Sequence, residues 1–279
     1  MIEKFKRLIW LWMQCFRSMR NFRTFIPFIL YAMLQGFVLY SLVNFVNAPF
    51  SNILIPLIRE LFGESALHYP SFFFILSPLY NQINIVLSGF LGIVIIGMAT
   101  HIFAVNFRAN RPTLGQALKE TMPKYGVLFI IWILESALSL AMIIGVPQIL
   151  NELLQPEYRI SRLIEMGGLL LGIIIGAIFA YTSALIILDR QKLLRSISQT
   201  FMIFKRNAFT TFFLIAVPTF FYFPISYLSR KTDLLISKFS PEIIAGLLGT
   251  GIFISLLLSY FQIGSITRFY LLQTEKKKY

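Results

Sequence analysis

Tyr125–Val146 reads YGVLFIIWILESALSLAMIIGV, with one charged residue, Glu135, in the whole stretch. A helix that crosses a bilayer needs about 20 mostly apolar residues, and this stretch supplies them. Five others do the same, at Phe25–Val46, Ile83–Val105, Gly167–Leu188, Phe209–Leu228 and Ile243–Ile266. Only closed barrels and α-helices satisfy their backbone hydrogen bonds in hydrocarbon. Six runs of this length predict an all-α polytopic membrane protein of six transmembrane helices.

Composition agrees. Of 279 residues, 57% are hydrophobic and 13% charged, and mean hydropathy is +0.74; soluble domains carry roughly 25% charged residues. Six spans use close to half the chain, so residues 1–279 read as a single membrane domain. The net charge of +13 would suggest nucleic acid in a soluble protein. Here it reads as topogenic charge facing anionic headgroups, and no nucleic-acid partner is expected. The Leu8–Met13 run is short and leads into Arg17, Arg20 and Arg23 rather than a small-residue cleavage site. No cleavable signal peptide is therefore expected. Cys15 is the only cysteine, which excludes an intramolecular disulfide and is expected to be a buried thiol, with lipidation as the alternative.

The charges orient the spans. Lys4, Lys6, Arg7, Arg17, Arg20 and Arg23 precede the first. Arg108, Arg111, Lys119 and Lys124 join the second to the third. Arg190, Lys192, Arg195, Lys205 and Arg206 join the fourth to the fifth, and Arg268, Lys276, Lys277 and Lys278 follow. The opposite loops hold Arg59, Arg159, Arg162, Arg230, Lys231 and Lys238. The positive-inside rule then places both termini in the cytoplasm of a cell whose inner (plasma) membrane holds the chain.

The basic segments are patterned. Ile2, Phe5, Leu8, Ile9, Trp12, Met13, Phe16 and Met19 recur at helical spacing, as do Leu114, Ala117, Leu118, Thr121 and Met122, and Leu193, Ile197, Phe201 and Phe204. Such helices lie in the headgroup plane, so membrane lipids are expected partners. Thr113 and Gln116 form a capping-box pattern. Each stripe precedes an outgoing span, which suggests three hairpins and repeats at 1–105, 106–188 and 189–279. Arg111-x-x-Leu114-x-x-x-Leu118-x-x-Thr121 matches Arg190-x-x-Leu193-x-x-x-Ile197-x-x-Thr200; convergence of two basic helices on one pattern is the alternative.

Gly168, Gly172, Gly176 and Ala180 make a small-residue ridge in the fourth span that permits close packing. Glycines also mark the second and sixth spans, and an inner layer of even-numbered spans is expected. The outer loop 47–82 contains two short apolar stretches, Ile53–Phe62 and His68–Leu76. They read as interfacial or re-entrant segments and, with the amphipathic helices, as surfaces for a protein partner.

An ionisable residue inside a span is expensive and marks a functional candidate. Glu135 lies ten residues into the third span, about 15 Å deep. It is read either as a proton or cation site, or polar point in a substrate path, or as a carboxyl bonded across helices for packing. Gln35 lies equally deep in the first span. Asn84, His101, Tyr181, Thr182 and Gln262 are further polar positions, of which His101 sits nearer the headgroups. With two histidines, one cysteine and no acidic cluster, neither a metal nor another cofactor is expected. Gly-x-Ser-x-Gly and P-loop motifs are absent, and no aspartate lies in a span, so nothing reads as catalytic.

The plan of three hairpins with basic leading helices, carried by Thr113–Met122 and Arg190–Asn207, resembles a loose group of bacterial six-span proteins. These are the YciC-like uncharacterised family and the membrane domain attached to some glycerophosphodiester phosphodiesterases. The resemblance implies the architecture but not the phosphodiesterase activity, whose soluble domain is not in this sequence. The expected function is a non-enzymatic one, handling or transporting a lipid-like amphiphile, alone or as the membrane subunit of an assembly. A scaffold that passes nothing and an intramembrane lipid-modifying enzyme are the alternatives.

Overall fold

The structure, a computed structural model, describes residues 2–155 and 157–275, and every regular element among them is helical. Lys276, Lys277 and Lys278, counted above among the C-terminal charges, lie outside the described residues. The helices are α1 (Ile2–Ser18), α2 (Ile26–Val43), α3 (Ser51–Phe62), α4 (Ser71–Leu87), α5 (Ile93–Phe107), α6 (Leu114–Thr121), α7 (Tyr125–Leu140), α8 (Val146–Leu154), α9 (Tyr158–Phe179), α10 (Thr182–Ile187), α11 (Leu193–Ser229), α12 (Thr232–Lys238) and α13 (Ile243–Glu275). Five-residue π-turns at Ser88–Gly92 and Ala141–Gly145 join α4 to α5 and α7 to α8.

Six helical stretches are long and apolar enough to span a membrane: Ile26–Val43, Ser71–Phe107, Leu114–Leu154, Arg159–Ile187, Leu193–Ser229 and Ile243–Thr274. Four of them contain and overrun the apolar runs read from the sequence, whereas Ile26–Val43 falls short of Phe25–Val46 at both ends and Arg159–Ile187 begins earlier than Gly167 but stops before Leu188. Ser71–Phe107 has 37 residues, about 55 Å of helix at 1.5 Å per residue, against a hydrocarbon core of about 30 Å. Hydropathy marks only the part that must be apolar; the amphipathic flanks are helical too. Thus the His68–Leu76 stretch is not a separate segment of the outer loop, because Ser71 already begins the second long helix. Likewise the Leu193–Phe204 stripe is the first part of α11, which runs into the fifth span across a non-helical residue, Asn207 (φ −129°, ψ 29°). The Asn207 side chain donates to the Ile203 carbonyl there, at 3.1 Å.

The expected inner layer is only partly present. The most apolar windows of Ser71–Phe107 and Arg159–Ile187 are 44% and 50% buried, but that of Ile243–Thr274 is 22%, below the first and fifth spans at 28%. In the sixth span Gly251 and Gly264 make close contacts, but Gly246 has nothing within 4 Å of its Cβ position, so not every glycine there marks packing.

The chain divides into two compact units. The first comprises residues 1–27, 92–219 and 260–279; the second comprises 28–91 and 220–259. In the first unit, α1 buries Leu8 and Leu11 in a core with Tyr181, Leu185, Leu214, Phe269 and Tyr270, and Cys15 is buried against Phe261 and Gly264 of α13. The buried side of α1 is therefore Leu8–Leu11–Cys15–Ser18, while Phe5, Ile9, Met13 and Phe16 are exposed. The apolar stripe read from the sequence is split between two faces, since the helix is apolar enough to pack on one side and present hydrocarbon on another. Helix α6 packs Leu114 and Ala117 against Val94, Met98 and Ile102 of α5. Thr113 occupies its N-cap but makes no side-chain capping bond, so the capping box is not formed. In the second unit, Phe45 stacks on Phe72 at 4.2 Å, and Ile58, Leu76, Ile244 and Leu248 complete the core. Ser77 Oγ donates to the Ser229 carbonyl at 2.8 Å, fixing α4 to the end of α11.

Candidate functional site

Each unit holds a cavity lined by helices long and apolar enough to span a membrane. That of the first unit has a volume of about 160 Å³. Its walls are mostly apolar, from Ile93, Ile131, Trp132, Phe179, Ile215 and Ile266, and Glu135 of α7 is its one acidic residue. Gln262, Thr182, Ser183 and Thr267 supply the remaining polar side chains. The Glu135 carboxylate makes no ion pair or hydrogen bond among the described residues, and the side chain is partly buried. An acidic group so placed in hydrocarbon surroundings, without a cation, is costly.

The small-residue ridge of α9 explains why there is space here. A Cβ on Gly168 would lie 2.5 Å from Pro147 Cγ and 2.7 Å from the Met142 carbonyl oxygen, and one on Gly172 would lie 2.6 Å from Ile143. These two glycines let α9 press against the π-turn and the start of α8. Gly176 is different: its Cβ would be 3.6 Å from Ile215 and 4.0 Å from Glu135 Oε1, ordinary contact distances. Gly176 and Ala180 line the cavity. One ridge thus packs at its first half and opens at its second.

The cavity of the second unit is larger, about 260 Å³, and its lining is uncharged. Gln35 of α2 donates from Nε2 to Asn84 Oδ1 of α4 at 2.7 Å, and both side chains line it. Tyr31, Tyr80 and Tyr222 add three phenols, and Asn81, Ser229, Ser255 and Ser259 add an amide and three hydroxyls. Tyr80 is 5% exposed, and its hydroxyl is buried with no hydrogen-bond partner among the described residues.

Of the polar positions singled out in the sequence, the structure brings Glu135, Thr182 and Gln262 to one cavity and Gln35 and Asn84 to the other. Tyr181 lines neither. It is fully buried, and its hydroxyl shares a hydrogen with Thr211 Oγ1 at 2.6 Å. His101 also lines neither, and its Nε2 is buried without a hydrogen-bond partner among the described residues. Sequence reasoning missed the phenols and serines of the larger cavity. A signal was present: Tyr31 with Gln35, Tyr80 with Asn84 and Ser255 with Ser259 are each four residues apart, so each pair shares a helix face.

Outside the spans, the Cys15 thiol is pushed up by burial, an effect only partly opposed by the Arg268 guanidinium. At the base of α6, Glu120 pairs with Lys124 at 3.4 Å and with Arg190 at 3.2 Å. Lys124 also donates to the Ile187 carbonyl at 2.9 Å, capping α10. Among the described residues no three His, Cys, Asp or Glu side chains gather where a metal could sit. Comparison of the chain with protein-family models, with curated proteins and with solved structures returned no match.

Proposed function

We propose that this chain is a multi-pass protein of the cell inner membrane, with both termini in the cytoplasm, that binds and passes a lipid-like amphiphile. Its six spans form three hairpins, each led by a basic cytoplasmic helix: α1, α6 and the first part of α11. The observation that carries the reading is Glu135, an unpaired carboxylate on the wall of a mostly apolar cavity between spanning helices. A packing role for Glu135 would call for a hydrogen bond across helices, and none is made to it among the described residues. Apolar walls suit acyl chains, while Glu135, Gln262 and Thr182 offer a polar group a place to cross.

The test is reconstitution of the purified chain in liposomes carrying a fluorescent phospholipid, with transbilayer movement read by dithionite quenching. The expected result is flux above protein-free vesicles, reduced at least tenfold in Glu135→Gln. Equal flux for both proteins, or none for either, refutes the reading. A second reading, a scaffold subunit, is favoured by one feature. Ile53, Leu57 and Leu61 of α3 are exposed at i, i+4, i+8, while Ile58 on the other face is buried. A partner that co-purifies without flux, and is lost in Leu57→Glu, would select it.

A further inference from the structure

The larger cavity has a composition that a packed bundle does not need. Nine of its 13 lining residues carry a hydroxyl or an amide, and none carries a charge. Ser229 and Ser255 donate to the Ser226 and Ile252 carbonyls, but an apolar chain is a poor occupant, because it would leave the remaining polar groups, the buried Tyr80 hydroxyl first among them, without partners. A phosphate is a poor occupant too, because no Lys, Arg or His lines the space to offset its charge.

The hydrogen-bonding groups are partly committed and partly free. The Gln35–Asn84 bond uses one N–H of Gln35. It leaves Gln35 Oε1 and the Asn84 amide N–H groups without a hydrogen bond among the described residues. The Tyr80 hydroxyl, on a side chain almost wholly buried, has no hydrogen-bond partner among the described residues. Buried polar groups are nearly always satisfied, so an orphan of this kind asks what satisfies it. Gly251 keeps room beside these groups: a Cβ there would stand 3.7 Å from Tyr222 Oη and 3.2 Å from Ile225 Cγ2. The volume, about 260 Å³, equals roughly nine waters at about 30 Å³ each, enough for one sugar ring with its hydroxyls. Mixed donors and acceptors, aromatic faces and no charge are what recognises a polyol.

We propose that this cavity is a binding site for a neutral polyhydroxylated group, a sugar or a glycerol-type polyol, either free or as the headgroup of an uncharged glycolipid. Gln35, Asn84 and Tyr80 bond its hydroxyls, and the site stands independently of whether anything passes Glu135.

The experiment uses the full chain in phosphatidylcholine nanodiscs. One arm titrates radiolabelled glucose by scintillation proximity. The other loads the discs with equal glucosyl diacylglycerol and phosphatidylglycerol, and native mass spectrometry reads which lipid stays bound. Saturable glucose binding identifies a free polyol as ligand, and selective retention of the glucolipid identifies a headgroup; either supports the site. Tyr80→Phe is expected to weaken the positive arm about fivefold to tenfold. It should leave the SDS-unfolding midpoint unchanged or raised, since it removes an unsatisfied hydroxyl. Gly251→Leu should abolish binding by filling the space. The site is refuted if neither probe binds saturably, which would leave water alone in the cavity, or if phosphatidylglycerol is preferred. It is also refuted if Tyr80→Phe binds as the parent does, or lowers stability as the loss of a structural hydrogen bond would. A chain that binds glucose but moves no lipid keeps this site and loses the transport reading; one that moves lipid but binds neither probe does the opposite.

Discussion

Three glycines on α9 separate packing from function when each is changed to alanine. In a helix interior, glycine to alanine gains about 1 kcal/mol from backbone entropy wherever the methyl group has space. Gly167 has that space, with nothing within 4 Å of its Cβ position, so Gly167→Ala should stabilise by about that much. Gly168 has none. Its methyl would meet Pro147 Cγ at 2.5 Å and the Met142 backbone oxygen at 2.7 Å, against ordinary carbon contacts of about 3.5–4.0 Å. A backbone carbonyl does not swing aside, so α9 must move away from the π-turn by most of an ångström. Overpacking of this kind costs about 1–3 kcal/mol. The propensity gain is common to both variants and cancels in their difference. Gly168→Ala should therefore be less stable than Gly167→Ala by about 1–3 kcal/mol.

Gly176 is the functional arm of the series. Its methyl fits, at 3.6 Å from Ile215 and 4.0 Å from Glu135 Oε1, so Gly176→Ala should be at least as stable as the parent. It nevertheless narrows the cavity beside the carboxylate and should slow lipid movement. The assay is unfolding in mixed micelles by increasing SDS, followed by Trp fluorescence, with the liposome flux assay run on the same preparations. Stabilities of Gly167→Ala and Gly168→Ala within about 0.5 kcal/mol, the usual range for innocuous substitutions, would refute the close approach of α9 to Met142–Pro147. Full flux in Gly176→Ala would remove that end of the ridge from the pathway.

Cys15 gives a direct test of where α1 lies. Its thiol is buried and held protonated by that burial, and the thiolate is the reactive form. Labelling by N-ethylmaleimide should stay slow as pH rises from neutral towards 9, and become fast only in SDS; rapid labelling of the folded chain would mean that α1 is not packed on its core. Gln35→Leu should cost about 1–3 kcal/mol by stranding Asn84, whereas the double change Gln35→Leu with Asn84→Leu should recover much of it. SDS unfolding of the single and double variants measures this coupling, and additive losses would deny the bond. Ser77→Ala removes the buried bond to the Ser229 carbonyl and should lower stability by about 1 kcal/mol; no change would place that contact outside the energetics of the fold.

Helix content and the number of long apolar stretches were legible because both follow from one physical demand. Backbone groups in hydrocarbon must bond internally, and the side chains around them must be apolar. That demand acts only within the bilayer's thickness, which is why the ends were missed. Ser71–Ile83 and Leu193–Phe204 are helical for reasons hydropathy does not weigh, namely the anchoring of α4 through Ser77 and the continuation of α11 past Asn207. The faces of α1 were misread for a related cause: a helix apolar on most sides offers the periodicity several equal solutions, and only its neighbours choose among them.

The candidate sites show the same division between what depth determines and what register determines. Glu135 stood out because its cost depends on depth alone, which counting along the chain supplies. Which residues gather around a cavity depends on the rotation of each helix about its axis, and no single helix encodes that. Gln35 and Glu135 lie equally far along their spans in the sequence, yet Gln35 is committed to Asn84 and Glu135 shares its cavity with Gln262 and Thr182. Depth is thus a poor guide to partnership, while face is a better one. The pairs Tyr31–Gln35, Tyr80–Asn84 and Ser255–Ser259 each keep polarity on one side of a helix otherwise free to be apolar there. A lone polar residue in a span is readily absorbed by a backbone carbonyl one turn away, as Ser41 and Thr100 are. Repeated polarity at i, i+4 on three helices is absorbed only in part: Ser255 donates to the Ile252 carbonyl at 2.9 Å, while the Tyr80 hydroxyl keeps no hydrogen-bond partner among the described residues, and a shared polar space results.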